Sequence, residues 1–175
     1  MGRIARLLSG RYQRGTAFLI LALFGTSSHP FVRLMDALAA LAATTEEEIY
    51  VQAGCTPLPQ AGLSGSAFLE PEDLERRIQG ASLVISQGGF GSMRDVLHAR
   101  VPLVAVPRLE ELDEARGNQT VLVKRLEASG VIIAVYDLAD LPAAVQRART
   151  TPMAAPPTST IPNRLAELLA SWEGL

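Results

Sequence analysis

Ser82-Leu83-Val84-Ile85-Ser86-Gln87-Gly88-Gly89-Phe90-Gly91-Ser92 carries an apolar run straight into three closely spaced glycines. A run this short, bounded by a glycine cluster, reads as a buried strand over Ser82–Ser86. The glycines predict a tight turn over Gly88–Ser92, and a helix is expected from about Ser92 to Ala99. Pro102 lies beyond the helix end, and Leu103–Val106 supplies another apolar strand. Strand, turn, helix and strand in this order form one βαβ unit, whose two strands are parallel.

The alternation extends in both directions. Upstream, Phe18–Phe24 reads as a strand and Phe31–Ala42 as a helix with Phe31, Leu34, Leu38 and Leu41 on one face. Glu48–Ala53 and Ser66–Leu69 are further strands, separated by a Pro- and Gly-containing loop, and Pro71–Gln79 is a helix. Downstream come an acidic irregular segment (Pro107–Gly117), a helix over Asn118–Ser129, a sixth strand over Val131–Tyr136 and a helix over Leu138–Arg149. Near-continuous apolar strands alternating with helices predict an α/β fold: a single Rossmann-like, doubly wound parallel sheet. The domain is expected over residues 16–150, after a basic segment at 1–15. A Pro-rich linker over 151–161 and an amphipathic helix over 162–175 follow. Leu165, Leu168, Leu169 and Trp172 form the apolar stripe of that helix, which can dock on its own sheet or on another chain.

Composition narrows the function. The 175 residues are 48% apolar and 19% charged, with a net charge of −2, which excludes a strongly basic nucleic-acid coat. Up to Met35 there are arginines at 3, 6, 11, 14 and 33 and no acid; the remainder has 11 basic against 18 acidic groups. Ile4, Leu7, Leu8 and Tyr12 share a helical face among those arginines, suiting either an interfacial helix on anionic lipid or a soluble basic terminus. The run Ala17–Phe24 imitates the core of a signal peptide, but it is about half the length of a membrane span and reads better as a buried strand. A lone Cys55 excludes a disulfide framework and points to a reducing compartment. Two isolated histidines, His29 and His98, leave no metal cluster. Glu110, Glu111, Asp113 and Glu114 read as a solvated acidic loop.

Chemistry is expected where strands end and helices begin, because free helix N–H groups attract anions there. Two turns qualify: Gly25-Thr26-Ser27-Ser28, and Gly88-Gly89-Phe90-Gly91-Ser92. Neither is a P-loop, which needs Gly-Lys-Ser/Thr. Neither is a dinucleotide fingerprint, since Arg94 stands at the third glycine position. Asp95 can reach a ribose diol or merely complement a helix dipole. Asn118 and Gln119 can bind sugar hydroxyls, or Asn118 can simply cap its helix.

These pieces recur in an order that resembles a known family. They are Gly25-Thr26-Ser27-Ser28-His29-Pro30-Phe31-Val32-Arg33-Leu34, then Leu83–Ser92 with Asp95, then Pro102–Pro107, then Asn118-Gln119. From Phe18 to Arg149 the chain is similar to the C-terminal domain of family 28 glycosyltransferases. The likeness is greatest to short bacterial polysaccharide-biosynthesis enzymes. Those in turn resemble the catalytic subunit of the split UDP-GlcNAc transferase that extends dolichol-linked oligosaccharides.

The resemblance implies the C-terminal, donor-binding half of a GT-B fold. It implies sugar transfer from a UDP-sugar, with inversion, to a lipid-linked acceptor, without metal or cofactor. The Gly88–Ser92 turn, with Gly88, Gly89, Gly91 and Ser92, would hold the diphosphate, Asp95 the ribose, and Asn118 with Gln119 the donor sugar; Gly25, Thr26 and Gln87 would also belong to the donor site. Relatives usually have His at the position of Gln87, which donates a hydrogen bond but carries no proton near neutral pH. They often have Glu where this chain has Asp95. His29 is the in-chain base or an acceptor contact. The acceptor would come from a membrane-associated partner subunit, at the inner, cytoplasmic face of the membrane. The competing reading is a non-catalytic nucleotide-sugar-binding or partner-binding subunit.

Overall fold

The computed structural model describes residues 19–59 and 62–154. The expected basic segment at 1–15, the linker beyond residue 154 and the C-terminal helix lie outside these residues.

Among the described residues, six strands form one parallel sheet: β1 Leu19–Leu23, β2 Glu48–Gln52, β3 Ser64–Ser66, β4 Leu83–Gln87, β5 Leu103–Val106 and β6 Ile133–Ala134. In the same residues five α-helices alternate with them: α1 Val32–Ala42, α2 Pro71–Gly80, α3 Phe90–Ala99, α4 Gln119–Ala128 and α5 Leu141–Thr150. The strand order is β3-β2-β1-β4-β5-β6. Progression along the chain therefore runs one way from β1 to β3 and the other way from β4 to β6. The reversal between β1 and β4 is the switch point of a doubly wound sheet, and it opens a crevice outside the carboxyl ends of those two strands.

Strand β1 shows why the sheet is covered on both faces. Ile20, Ala22 and Phe24 enter one core with Leu34, Leu38 and Leu41 of α1 and Leu141, Ala144 and Val145 of α5. Leu21 and Leu23 enter the other, with Ile78 of α2, Met93 and Val96 of α3 and Val123 of α4. The expected stripe on α1 is buried throughout, and Leu19–Leu23 is a central strand paired with both β2 and β4.

Several boundaries differ from expectation; the last helix, expected from Leu138, starts at Leu141 after a 3-10 turn over Leu138–Asp140. The third strand is Ser64–Ser66 rather than Ser66–Leu69, because the ladder to β2 runs through Tyr50↔Ser64 and Gln52↔Ser66. Gly65 lies too close to the Val51 carbonyl to carry a side chain, while Phe68 stands in the following loop, largely exposed. Helix α3 starts at Phe90, so Gly91 and Ser92 belong to its first turn and only Gly88 and Gly89 form the connection. The sixth strand shrinks to Ile133–Ala134, since only these two residues pair with the β5 ladder.

Ile85 pairs with Ala22 on β1 and Val104 on β5 and is fully buried. Ile85→Ala is expected to lower stability by about 2–5 kcal/mol through lost burial and the cavity left behind. Equilibrium urea unfolding measures this, and a loss below ~1 kcal/mol would show that Ile85 is not in the core.

Candidate functional site

The crevice at the switch point is built from the first turn after β1 and the first turn after β4. After β1 the chain enters the left-handed region at Gly25 (φ +68°), a conformation that side chains other than glycine adopt only with strain. Gln52, at the end of β2, clamps this peptide from both sides. Its Oε1 accepts from the Gly25 N–H at 3.1 Å, and its Nε2 donates to the Gly25 carbonyl at 3.0 Å and to the Ala67 carbonyl at 2.8 Å. Further along, the Phe31 N–H donates to Thr56 Oγ1 at 2.9 Å, fixing the entry to α1. Thr26 is exposed on the turn.

At the end of β4, Gln87 is 7% exposed. A Cβ on Gly25 would collide with its amide nitrogen, and one on Gly89 would lie 3.1 Å from it. The two glycine turns thus flank the Gln87 carboxamide. Gly88 has a different reason to be glycine, since a Cβ there would meet Val123 Cγ2 at 2.8 Å and crowd Gln119. Above Gly91 the space is open. Helix α3 has no side-chain cap and no acid in its first turn. The N–H groups of Phe90, Gly91 and Ser92 therefore lack intrahelical partners and carry the positive end of the helix dipole.

Arg108, two residues beyond β5, ties these pieces together. It is 2% exposed. Its Nε donates to Gln87 Oε1; Nη1 donates to the His29 and Glu114 carbonyls at 2.8 and 2.9 Å, and Nη2 to the Phe24 carbonyl at 3.0 Å. Its backbone N–H donates to Gln119 Oε1 at 3.0 Å. The guanidinium also lies 4.5 Å from the centroid of the Phe31 ring, which packs edge-on against Phe24. Burial lowers the Arg108 pKa, with Cys55 and Glu114 acting in the opposite direction. An arginine nonetheless stays protonated in proteins.

The acidic segment departs at one residue from the solvated loop that its composition predicts. Glu110, Glu111 and Asp113 are exposed, but Glu114 is buried. It grips Arg33 with both oxygens, at 2.7 and 3.0 Å, and accepts the Leu109 N–H at 2.9 Å. Arg33 also donates to the Pro107 carbonyl at 2.7 Å. The segment is therefore strapped to α1, and the strap brings Asp113 Oδ1 to 3.9 Å from His29 Nε2.

The structure brings Gly25, Gln87, Gly88, Gly89 and Gln119 together and ties His29 to them through Arg108. Asp95 lies on α3 in a groove of about 410 Å³ shared with Pro71 and Leu74 of α2, and also with His98, which is exposed. Asp95 Oδ1 accepts from Arg94 at 2.8 Å. Asn118 caps α4, its Oδ1 accepting the Thr120 N–H at 2.9 Å, so the plain capping role is realised. Gln119 spends its oxygen on Arg108.

The glycosyltransferase family 28 C-terminal domain model matches residues 25–169. The chain belongs to this family. No curated protein sequence matches the chain. Among solved structures, the glycotransferase of kitacinnamycin is similar with a TM-score of 0.63 at 18% identity, covering 87% of this chain and 40% of that one. The spinosyn forosaminyltransferase gives 0.63 at 14% identity, covering 90% and 45%. A glycosyltransferase of Streptomyces sp. SF2575, solved with thymidine diphosphate, gives 0.55 at 20% identity, covering 80% and 35%. The family 28 domain therefore has the fold of one half of GT-B glycosyltransferases and spans less than half of these chains.

Sequence reasoning about this family 28 domain missed Gln52, Arg108 and Glu114. One signal was present: polar Gln52, Gln87 and Arg108 sit at or just past the ends of apolar strands, where the ligand side of the sheet begins.

Glu114→Ala leaves Arg33 without its counter-charge beside buried Arg108. The expected destabilisation is about 3 kcal/mol, as for breaking a buried pair, and the double variant Arg33→Met/Glu114→Leu should recover much of it. Chemical denaturation of the three proteins measures this; a loss under ~1 kcal/mol for Glu114→Ala would reduce the pair to an ordinary surface contact.

Proposed function

We propose that the chain is the donor-binding catalytic part of a glycosyltransferase that moves a sugar from a UDP-sugar, with inversion, onto a lipid-linked acceptor. The observation that carries the reading is the arrangement of the two turns at the carboxyl ends of β1 and β4. The uncapped start of α3, with open space above Gly91, lies beside the amide nitrogen of Gln87 and the Gly25 turn, within a chain of this family.

The chemistry follows from where charge develops. As the anomeric bond breaks, negative charge moves onto the departing diphosphate. N–H groups already pointing at that position stabilise it without reorganising during the step. The free N–H groups at Phe90, Gly91 and Ser92 and the Gln87 amide supply such donors. Asp95 has its Oδ2 left to accept from the ribose diol, since Arg94 engages only Oδ1. Asn118 and Gln119 each keep an amide NH₂ for donor-sugar hydroxyls, because their oxygens are held by Thr120 and Arg108. His29, whose Nε2 lies 3.9 Å from Asp113 Oδ1, takes the proton from the acceptor hydroxyl.

A GT-B cleft lies between two domains, and the described residues form one. The acceptor is brought by a membrane-associated partner, with this chain on the cytoplasmic side. The apolar side chains exposed on loops and helix starts at the carboxyl edge (Val32, Phe68, Phe90, Leu112) suit contact with such a partner or with lipid. Among the described residues no helix is long and apolar enough to cross a membrane.

Titration calorimetry with UDP and UDP-sugars, alone and with the cognate partner, tests the donor class. Absence of binding to any nucleoside diphosphate or its sugar would sink the reading. Binding without transfer in the complete complex would favour the non-catalytic alternative. For the base, His29→Ala should lower kcat by about 10²–10⁴-fold with donor affinity unchanged. An unchanged kcat would remove His29 from the chemistry.

A further inference from the structure

We infer that Arg108 is the positioning residue of the diphosphate site: a buried, unneutralised cation that locks the Gln87 carboxamide with its NH₂ toward the crevice between the two glycine turns. The inference rests on the donor reading above and assigns a role that neither family membership nor fold supplies.

The orientation of Gln87 is decided by hydrogen-bond chemistry. A guanidinium has donors and no acceptor, so the Gln87 atom against Arg108 Nε must be the oxygen. The amide nitrogen is thereby turned the other way, into the space bordered by Gly25 and Gly89. No protein acceptor meets that nitrogen among the described residues, and it is not sealed from solvent. A side chain more than nine-tenths buried thus directs its free donor at the place where α3 presents unpaired N–H groups. Both point at one anion.

The charge of Arg108 supports the same conclusion. Its four oxygen partners are the carbonyls of Phe24, His29 and Glu114 and the amide of Gln87, all neutral. The nearby carboxylate, Glu114, is already matched by Arg33. The set of Arg108, Arg33 and Glu114 therefore keeps one positive charge beneath the crevice. Strapping backbone carbonyls together requires donors, not charge. A buried, unmatched cation carries a desolvation penalty that a nearby anion offsets. Its guanidinium touches the carbonyl of Phe24, one residue before Gly25, so the charge lies directly under the proposed phosphate position. Arg108 is itself too buried to contact ligand, and it acts through Gln87 and through its field.

Gln87→Glu separates this role from a structural one. Glutamate keeps an oxygen for Arg108 Nε and adds a matched buried pair, so thermal stability should hold or rise. The donor facing the crevice, however, becomes an anion. UDP affinity should fall by about tenfold to a hundredfold, the value of a hydrogen bond to a charged group. The preference for UDP over UMP should collapse, because the loss falls on the diphosphate. Arg108→Met is the second variant. Partial misfolding lowers its binding stoichiometry but not the UDP-to-UMP affinity ratio, so that ratio reports the joint loss of the charge and of the Gln87 anchor, and it should fall as well. Gln87→Glu with wild-type stability and an unchanged ratio would overturn the inference. A third probe, inorganic diphosphate, distinguishes this from the donor reading. Binding of inorganic diphosphate that Gln87→Glu abolishes, without binding of any nucleotide, keeps the positioning role and refutes the nucleotide-sugar donor. Failure of the wild-type protein to bind inorganic diphosphate, UDP and TDP alike overturns it.

Discussion

The carboxyl edge of a parallel sheet ends in carbonyls and side chains that have run out of ladder partners, and in this protein one guanidinium satisfies the most important of them. Phe24, His29 and Glu114 belong to the turn after β1, the entry to α1 and the segment after β5; Gln87 ends β4. Arg108 binds an oxygen from each. Buried oxygens left without donors would each cost about 1–3 kcal/mol, so removal of this one side chain would loosen three loops at once. The cost of burying the guanidinium is limited by four hydrogen bonds and by the face of Phe31.

The other polar strand ends follow the same logic. Gln52 holds the Gly25 peptide by its N–H and its carbonyl, which fixes a turn that glycine alone would leave adaptable. Glu114, matched by Arg33, ties the long segment after β5 to α1 and brings Asp113 opposite His29. The surroundings of the Gln87 amide are therefore held by hydrogen bonds from β2, β4 and β5 together with α1. A site that stabilises charge without reorganising requires that kind of support.

Most of the fold was legible because its signals are local. Apolar runs such as Leu83–Ile85 and Leu103–Val106 and the stripe Leu34, Leu38, Leu41 need only neighbours in sequence to be read. Ser64–Ser66 escaped because an edge strand is selected by close backbone approach at Gly65, not by hydrophobicity. The glycine turns and His29 were legible from their position between strand and helix. Arg108 and Glu114 were not. Their partners are 21 to 84 residues away for most of the Arg108 side-chain bonds, and 81 for Glu114 with Arg33. Composition placed both in an acidic loop, where a buried carboxylate looks the same as a solvated one.

The same distinction resolves an apparent conflict between the charge of the whole protein and the charge of its proposed ligand. A chain of net charge −2, with Glu110, Glu111 and Asp113 exposed beside the crevice, seems a poor receptor for a diphosphate. Exposed charges, however, are attenuated by water and by salt over about 8–10 Å. A cation buried under the crevice acts through a medium of much lower polarity, as do the unpaired N–H groups of α3. The acids on the rim and the arginine beneath it therefore do not weigh equally. At the depth proposed for a phosphate, the buried charge and the helix end both favour an anion.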